Sequence, residues 1–522
     1  MRHAAVAVAS CLSLAVALTA CGKPKDAEGW AKRAVSRSRL DEKLESLAEV
    51  RKAPGDRKAA VPHLVRIVAD GGTYARARGE AALALGEIGD PSAIDPLVKA
   101  LDKPAATERD LAEMNRHVAD ALGALRAREG VPALTALLQQ SRNGFAQVAA
   151  VDALGRIRDP AALDVLINVA TGKEVEPFTA RKALLALGRI GDKRASDAVL
   201  HMLFEERPGV SFFPEAAFAA VQIGSPMAEP LLAVLEGRNS ELASWARERG
   251  VVAGALYAKS AQLLGDVGGT DAVPALVRKL GYQDSDPGIA MYVRVFAAES
   301  LGRLRGRDAV RPLGDLVARE RNPDVRDRYC DALVRIGDPA AIAPLKAAAG
   351  VGDWDLREGP LTAISRLGGE AERTFIEQAK AKDCANGCAP PVQAAYAAMA
   401  ARLDAAKACT DAACWAGKLA DASAAVRDRA ALEVGRSGGA AHAAALGEAI
   451  VKPVTGEADV AARYHAVLAL AWINGREKVG AAGAAIADKI EAMIAQDRGR
   501  TLTAGANEDA LRLATRLRRQ AG

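Results

Sequence analysis

Apolar residues recur along most of the chain at the spacing of a single helical face. Two segments carry four apolar residues each at positions i, i+3, i+4 and i+7: Ile94, Leu97, Val98 and Leu101, and again Val273, Leu276, Val277 and Leu280. This spacing is typical of an amphipathic helix that buries one side. No alternating strand pattern appears, so the sequence predicts an all-α protein.

A short phrase returns along the chain and marks internal repeats. It contains Ala-Leu-Gly or a close variant and is often followed by Gly-Asp-Pro; the copies lie at 81–91, 153–160, 186–192, 300–304 and 332–339. Gly155 and Gly188 are 33 positions apart, and degenerate copies continue at 364–367, 434–436 and 470–473. This period predicts an α-solenoid of about twelve helix pairs between Leu40 and the C-terminus.

Recurrent glycines and arginines have structural interpretations within this pattern. The Gly-Asp-Pro sequence is interpreted as a turn between two helices. Its glycine tolerates positive φ, and its aspartate accepts hydrogen bonds from free N–H groups at the start of the next helix. Glycines late in the first helix of a pair are expected to let the partner helix approach closely: Gly86, Gly155, Gly188 and Gly302. Arginines at the start of first helices either bond the turn aspartate of a neighbouring repeat or form a basic binding face, and their regular placement favours the structural role: Arg76, Arg181, Arg326, Arg427 and Arg463.

The repeated phrases resemble the HEAT-like repeats of the phycobilisome-lyase type, which are shorter than ordinary HEAT repeats. The resemblance covers nearly all of the chain from about Leu40 onward. It implies a fold without implying an activity, because lyases, scaffolds and adaptors share this repeat. Tetratricopeptide and ankyrin repeats have similar periods, but their signature residues are missing.

The N-terminal residues have the features of an export signal. A short positive region with Arg2 precedes an apolar run at 4–17, and Leu-Thr-Ala-Cys at 18–21 resembles the bacterial lipobox. The resemblance implies that residues 1–20 are removed as a signal peptide and that Cys21 is lipidated; an ordinary secretory signal is the alternative. Gly22 is not the aspartate of inner-membrane retention, so we expect an outer-membrane anchor facing the periplasm, with 21–39 as a lipidated tether before a solenoid at 40–522.

Composition and charge limit the possible partners. Half of the residues are hydrophobic but only 4% are aromatic, which favours closely packed helices with small side chains. Loss of Arg2 with the signal leaves 69 basic against 65 acidic residues, a net charge of +4. This weak charge, without a basic block, argues against nucleic acid as a partner.

Two irregular places interrupt the repeats and suggest a binding surface. The region 204–259 departs from the period and contains Phe212, Phe213 and Trp245, and Trp354 stands between two aspartates in a predicted turn. Exposed aromatic side chains are common anchors of protein interfaces. We therefore predict these four residues as partner-binding candidates, with packing onto the solenoid's own edge as the alternative.

Four cysteines cluster in the region 384–414. They are Cys384, Cys388, Cys409 and Cys414, and in an exported protein their close spacing favours a disulfide within each short loop. Zinc is the alternative, although no Cys-x-x-Cys is present. Cys330 lies alone on an apolar stripe and is interpreted as a buried small hydrophobe.

The sequence contains no enzyme motif in the structural context that the motif requires. Gly435, Ser437 and Gly439 have the letters of a nucleophile elbow, but they fall in a helical repeat rather than between a strand and a helix. No phosphate loop or His-Glu-x-x-His is present, and the histidines are scattered. The sequence therefore predicts no catalytic, cofactor or metal residue and no enzyme, but a membrane-anchored scaffold or adaptor. It would bind a protein or peptide partner along a large surface without a deep pocket; a HEAT-like lyase or protein-modifying enzyme and a structural envelope spacer are the alternatives.

Overall fold

The computed structural model describes residues 24–497 and 499–521. Within them the chain forms 29 α-helices and one pair of two-residue strands, joined by short 3-10 helices and turns. The described chain divides into two compact units at Asp192, with unit 1 up to this residue and unit 2 from Lys193 onward. The all-α solenoid predicted from the sequence is confirmed, and the helices exceed the 24 that twelve pairs would give.

Unit 1 contains ten of these helices. They are α1 (Ala27–Ser36), α2 (Leu40–Lys52), α3 (Val61–Ala69), α4 (Ala75–Ile88), α5 (Ile94–Ala100), α6 (Arg109–Ala124), α7 (Val131–Gln140), α8 (Gly144–Ile157), α9 (Leu163–Thr171) and α10 (Pro177–Ile190).

Unit 2 contains the other described helices and both strands. The helices are α11 (Ser196–Met202), α12 (Phe213–Ile223), α13 (Ala228–Leu235), α14 (Ser240–Glu248), α15 (Ala253–Val267), α16 (Val273–Lys279), α17 (Pro287–Leu304), α18 (Val310–Arg319), α19 (Pro323–Ile336), α20 (Ile342–Ala349), α21 (Trp354–Leu367), α22 (Glu370–Asp383), α23 (Pro390–Ala408), α24 (Ala412–Lys418), α25 (Ala424–Ser437), α26 (Ala443–Val451), α27 (Glu457–Arg476), α28 (Ala482–Gln496) and α29 (Ala504–Ala521). The antiparallel strands β1 (Glu206–Arg207) and β2 (Val210–Ser211) lie in the irregular region 204–259, where the sequence predicts helix and loop alone.

The turn inside a repeat follows from its local sequence. Gly89 ends α4 with a φ of 78°, a left-handed conformation that glycine adopts at little cost. The Asp90 carboxylate then accepts a hydrogen bond from the backbone N–H of Ser92 at 2.9 Å, and Pro91 begins a one-turn 3-10 helix that leads into α5. Asp159 and Asp338 cap the equivalent turns in the same way.

Glycines set the distance between the first helices of successive repeats. A Cβ atom placed on Gly86 would lie 2.7 Å from the Cα of Ala121, and one on Gly155 would lie 2.9 Å from the Cα of Ala186. These alanines belong to the first helix of the next repeat, α6 and α10, and not to the partner helix of the same pair as the sequence interpretation has it. The close approach is confirmed and its partner is corrected.

The arginines near the starts of first helices bind backbone carbonyls. Arg78 donates to the carbonyl of Val68 and Arg463 to that of Lys452, each at the end of the preceding helix. Arg326 donates to the carbonyl of Ala348, at the end of the following helix. Arg463 also pairs with Asp497 at 2.7 Å. Their role is structural, but the main acceptors are helix C-terminal carbonyls, which have no partner within their own helix, and not the turn aspartates.

The first described helix is already part of the helical stack. Trp30, Ala31 and Ala34 of α1 are buried, and α1 packs against α2 and α3. The stack therefore includes residues from Ala27 and does not start at Leu40, because α1 has an apolar face of its own. Cys21, the predicted lipidation site, and the predicted signal peptide lie outside the described residues.

The first helices of unit 2 form a closed ring. Each of α12, α15, α17, α19, α21, α23, α25, α27 and α29 contacts the next member of this series, and α29 contacts α12. Gln222 of α12 donates a hydrogen bond to the carbonyl of Arg512 at 3.2 Å and accepts one from Arg519 at its own carbonyl. Repeats far apart in sequence are therefore brought around a common interior.

A search for membrane-crossing helices covered the described residues. None of their helices is by itself long and apolar enough to cross a bilayer. Phe213–Ile223 and Ser225–Leu235 meet the criteria only as a pair, and that pair is bent by 116°.

Candidate functional site

The ring of first helices in unit 2 surrounds a cavity of about 860 Å³. Its wall comes mainly from charged side chains of α15, α17, α19, α21, α27 and α29, with a smaller apolar part that includes Val460 and Leu502. From the sequence, we expect a large surface without a deep pocket. That expectation is wrong for unit 2, because contact between α29 and α12 closes the ring.

A network of alternating charges crosses one side of this cavity. Arg303 of α17 pairs with Asp266 at 2.5 Å, approaches Asp509 at 3.9 Å and donates to the hydroxyl of Tyr464 at 3.4 Å. Arg512 of α29 bridges the same two carboxylates, at 3.5 Å from Asp266 and 3.3 Å from Asp509. These contacts join α15, α17, α27 and α29, so much of the polar wall also holds the ring closed.

A second network lies between α19, α21, α23, α25 and α27. Arg366 pairs with Asp331 at 2.9 Å and with Asp428 at 2.7 Å. The Asp428 side chain is only 1% exposed, and it also contacts Arg402 at 3.5 Å and Nδ1 of His465 at 2.5 Å. Burial alone would raise the pKa of the Asp428 carboxyl, but Arg366 and His465 together hold that pKa far below its usual range.

His465 lines the cavity and has one unused ring nitrogen. Its residue exposure is 3%, and Nε2 has no hydrogen-bond partner among the described residues. Burial lowers the pKa of His465, and this effect outweighs the opposing effect of Asp428. Because Asp428 accepts a hydrogen bond from Nδ1, the neutral ring leaves Nε2 as an acceptor.

This charged interior is not predicted from the sequence. From the sequence, His465 is interpreted as a solvated or satisfied histidine and Asp428 has no assigned role, since the two lie 37 positions apart on different helices. A signal was nevertheless present, because the repeated phrase carries an arginine directly after its glycine or the equivalent residue: Arg303, Arg335, Arg366 and Arg436. Those arginines face the interior of unit 2 or lie directly behind its wall.

The four aromatic candidates are scattered. Phe212 is fully buried and so cannot serve as an exposed interface anchor, which corrects its assignment. Phe213 is half-buried and lines the cavity. Trp245 is half-buried, with its ring 6.1 Å from His201 and 4.5 Å from the guanidinium of Arg249. Trp354 begins α21, and its ring lies 5.3 Å from that of Tyr396.

The clustered cysteines form two short loops. Cys384 is paired with Cys388 and Cys409 with Cys414, at Cα–Cα distances of 4.4 and 5.4 Å, at the two ends of α23. Cys330 is a free, buried thiol. Among the described residues no group of three or more His, Cys, Asp or Glu side chains is placed to hold a metal ion.

Comparison with known families finds repeats of a known type in parts of the α-solenoid. HEAT repeats match residues 105–178 and 290–365. The PBS lyase HEAT-like repeat matches residues 77–103, the type that the repeated phrase resembles.

Individual relatives are more distant. Human deoxyhypusine hydroxylase is 28% identical over 239 residues, which cover 42% of this chain and 75% of that protein. The structure of the human hydroxylase in complex with glycerol is 22% identical and covers 58% of this chain and 94% of its own, with a TM-score of 0.22. A crystal structure of importin beta is 13% identical and covers 92% of this chain and 75% of its own, with a TM-score of 0.43.

Proposed function

We propose that this protein is a binding scaffold that holds a segment of a protein partner in the cavity of unit 2. The observation that carries the proposal is the charged cavity of about 860 Å³ inside the ring of first helices. A recess of this size suits a ligand group or a short peptide segment. Its paired charges, with Val460 and Leu502 beside them, offer both hydrogen bonds and apolar contact to such a segment.

Photo-crosslinking tests where the partner binds. A benzophenone amino acid is placed at Val460 or Leu502, both in the cavity wall, and in a control at Lys407, whose side chain is 67% exposed on α23 and is not among the cavity-lining residues. We expect one partner to be captured from both cavity positions and not from Lys407. Equal capture from Lys407, or no capture from the cavity, would refute the proposal.

The proposed location is the bacterial cell envelope. The lipobox-like residues at 18–21 support lipidation of Cys21, and Gly22 supports an outer-membrane anchor facing the periplasm. Several acyl chains anchor a protein stably, whereas one chain is marginal. The Cys21→Ser variant should lose labelling by radioactive palmitate and leave the membrane fraction; an unchanged distribution would count against the anchor.

A second candidate is an enzyme that modifies a protein segment in the same cavity. The buried pair of Asp428 and His465, with its unused Nε2, favours this alternative, because an aspartate that orients a histidine is a common arrangement for a general base. The sequence match to human deoxyhypusine hydroxylase adds weak support. A change in mass of the crosslinked partner that is lost in His465→Gln would distinguish this enzyme from a scaffold.

A further inference from the structure

Five buried arginines lie within or directly behind one wall of the cavity. We call them the arginine cluster. Its members have side-chain exposures of 5 to 12% and are Arg335, Arg366, Arg402, Arg429 and Arg436. Three carboxylates lie within 4.0 Å of them: Asp331, Asp428 and Glu433. Five positive and three negative charges leave an excess of two positive charges in a desolvated place.

Backbone carbonyls accept hydrogen bonds from the arginines of this cluster that lie behind the cavity wall. Arg429 donates to the carbonyl of Ser365 at 2.8 Å, and Arg436 donates to that of Val334. A carbonyl group accepts a hydrogen bond but carries no net charge, so it does not neutralise the positive charge of the arginine. Accordingly, burial and then the neighbouring Arg366 and Arg429 lower the pKa of Arg402 to about 10.

Arg335 differs from Arg402, Arg429 and Arg436 because it lines the cavity, where it is 7% exposed. Its Nε has no hydrogen-bond partner among the described residues, which is also true of Nε in those three arginines. Its contact with Asp331 spans 3.6 Å, and Oδ1 of Asp331 is already bound by Arg366 at 2.9 Å. The guanidinium lies 4.9 Å from the ring centre of Tyr464, the neighbour of His465 in the chain.

A buried group without a partner costs free energy unless a ligand supplies the partner. Here three such atoms belong to lining residues: Nε of Arg335, Nε of Arg512 and Nε2 of His465. The two Nε groups are donors, which a carboxylate can satisfy, whereas Nε2 of the neutral His465 ring is an acceptor. Of these residues, Arg335 belongs to the arginine cluster with its uncompensated positive charge. A carboxylate would add the missing negative charge, and guanidinium groups bind carboxylates with well-defined geometry. Asp331 limits the positions open to that carboxylate, because its own negative charge lies between Arg335 and Arg366.

We propose that Arg335 and Arg366 form an acidic-segment subsite that binds the carboxylates of a polypeptide partner. This inference rests on the proposed function, and it names the chemistry of the partner: a segment rich in aspartate or glutamate, or one that ends in a free carboxylate. Arginine is enriched among the residues that contribute most to protein interfaces. Arg335 is the residue on which recognition depends most.

The test measures binding of fluorescein-labelled hexaglutamate to the full chain by anisotropy, with hexalysine as the opposite-charge probe. We expect hexaglutamate to bind more tightly than hexalysine, and Arg335→Gln to weaken hexaglutamate by about tenfold or more. Arg335→Lys should bind hexaglutamate with an affinity between those of the wild type and Arg335→Gln, because lysine keeps the positive charge but loses the bidentate hydrogen bonds of a guanidinium group. Arg319→Gln is the matched control, since Arg319 is 78% exposed on α18 and its removal changes the net charge equally.

Thermal unfolding of the same variants separates a binding role from a structural one. If Arg335 serves a ligand, Arg335→Gln should leave Tm unchanged or raised, because it removes an uncompensated buried charge. A lowered Tm together with unchanged binding would overturn the proposal. So would equal weakening by Arg319→Gln, or tighter binding of hexalysine.

A measurement on the unmodified protein does not depend on any variant folding. Hexaglutamate carrying a benzophenone is crosslinked and the attachment sites are mapped; sites within 328–335, 460–465 or 502–512 support the subsite, and sites elsewhere overturn it. If hexaglutamate does not bind but a partner is captured from Val460 and Leu502, only the proposed acidic chemistry of the partner segment would be refuted. Binding of hexaglutamate without any captured partner would leave the subsite and refute the proposed function.

Discussion

The indole of Trp472 donates a hydrogen bond from Nε1 to the backbone carbonyl of Arg303 at 2.8 Å, across 169 positions of the sequence. Trp472 is on α27 and Arg303 is on α17, so the bond connects two first helices that are not neighbours in the ring. A carbonyl in the last turn of α17 is free to accept it, because helix ends leave such groups without intrahelical partners.

Trp472→Phe should weaken this connection while it keeps an aromatic ring. We expect the free energy of unfolding to fall by about 1 to 2 kcal/mol, from the lost hydrogen bond and the smaller ring. Urea titration followed by circular dichroism measures the change. Trp245→Phe, also half-buried, is the control and should cost less; an equal loss in both variants would remove the special role of the bond to Arg303.

Gly155→Ala should disturb the contact between α8 and α10 in unit 1. The new Cβ would lie 2.9 Å from the Cα of Ala186, and backbone cannot yield as a flexible side chain does. We expect a loss of about 1 to 3 kcal/mol, as for other overpacked interiors. Gly144→Ala on the same helix meets no atom within 4 Å, so it should be neutral or stabilising. Comparable Tm values for the two variants would contradict a role for the glycine in helix spacing.

The stability of the chain should depend on pH through His465. Burial lowers the pKa of His465 in the folded chain, so below the unfolded value of about 6.5 the unfolded state binds a proton that the folded state does not. The contribution of His465 to stability is therefore lost as the pH falls below that value, by at most about 1.4 kcal/mol per pH unit. His465→Gln should flatten this slope in urea titrations between pH 7.5 and 5.

Other titrating groups bear on that measurement, so the comparison is between the slopes of the variants; burial and then Asp331 raise the pKa of Asp327 to about 7, and its contribution is common to the wild type and both histidine variants. Burial also lowers the pKa of His117 in unit 1, so His117→Gln is the matched comparison. Asp428, whose pKa is depressed, loses its contribution only as the pH falls past the unfolded value of about 3.9. It therefore lies outside the tested range, and identical slopes for the wild type and His465→Gln would contradict the prediction.

Asp266→Asn should loosen the closure of unit 2. The Asp266 carboxylate is bound by Arg303 at 2.5 Å and by Arg512 at 3.5 Å, and its backbone carbonyl accepts from Arg516 at 2.7 Å. Removing the charge leaves Arg303 and Arg512 with a weaker partner, so we expect faster amide exchange in 504–521. Exchange in 75–157 of unit 1 serves as the internal control. Unchanged protection of α29 would mean that Asp266 does not hold the ring closed.

Non-reducing peptide mapping should recover two local disulfides. Cys384 should appear with Cys388 and Cys409 with Cys414, because each pair lies within one short loop. Cys330 should stay unmodified by iodoacetamide until the protein is denatured, since it is buried and burial raises the pKa of its thiol. Crossed pairings, or zinc in the purified protein, would support the alternative arrangement of these cysteines.

The parts predicted from the sequence are those determined by neighbours in the chain. Gly89, Asp90 and Pro91 specify their turn within three positions, and the 33-residue period is visible in the letters themselves. Closure of the ring has no such local signal, since Gln222 and Arg519 are 297 positions apart and their contact is polar. The cavity depends on that closure, and the pairing of Asp428 with His465 depends on two separate repeats meeting.

Closure of unit 2 also limits how the protein can evolve. In an open stack, duplication of a repeat adds one more neighbour at little cost. In unit 2 each first helix occupies one sector of a completed circle, so one extra or missing repeat would carry Arg519 away from Gln222 and separate the charges that Arg303 and Arg512 hold together. The number of repeats in unit 2 is therefore fixed by geometry, while the side chains that face its interior remain free to change.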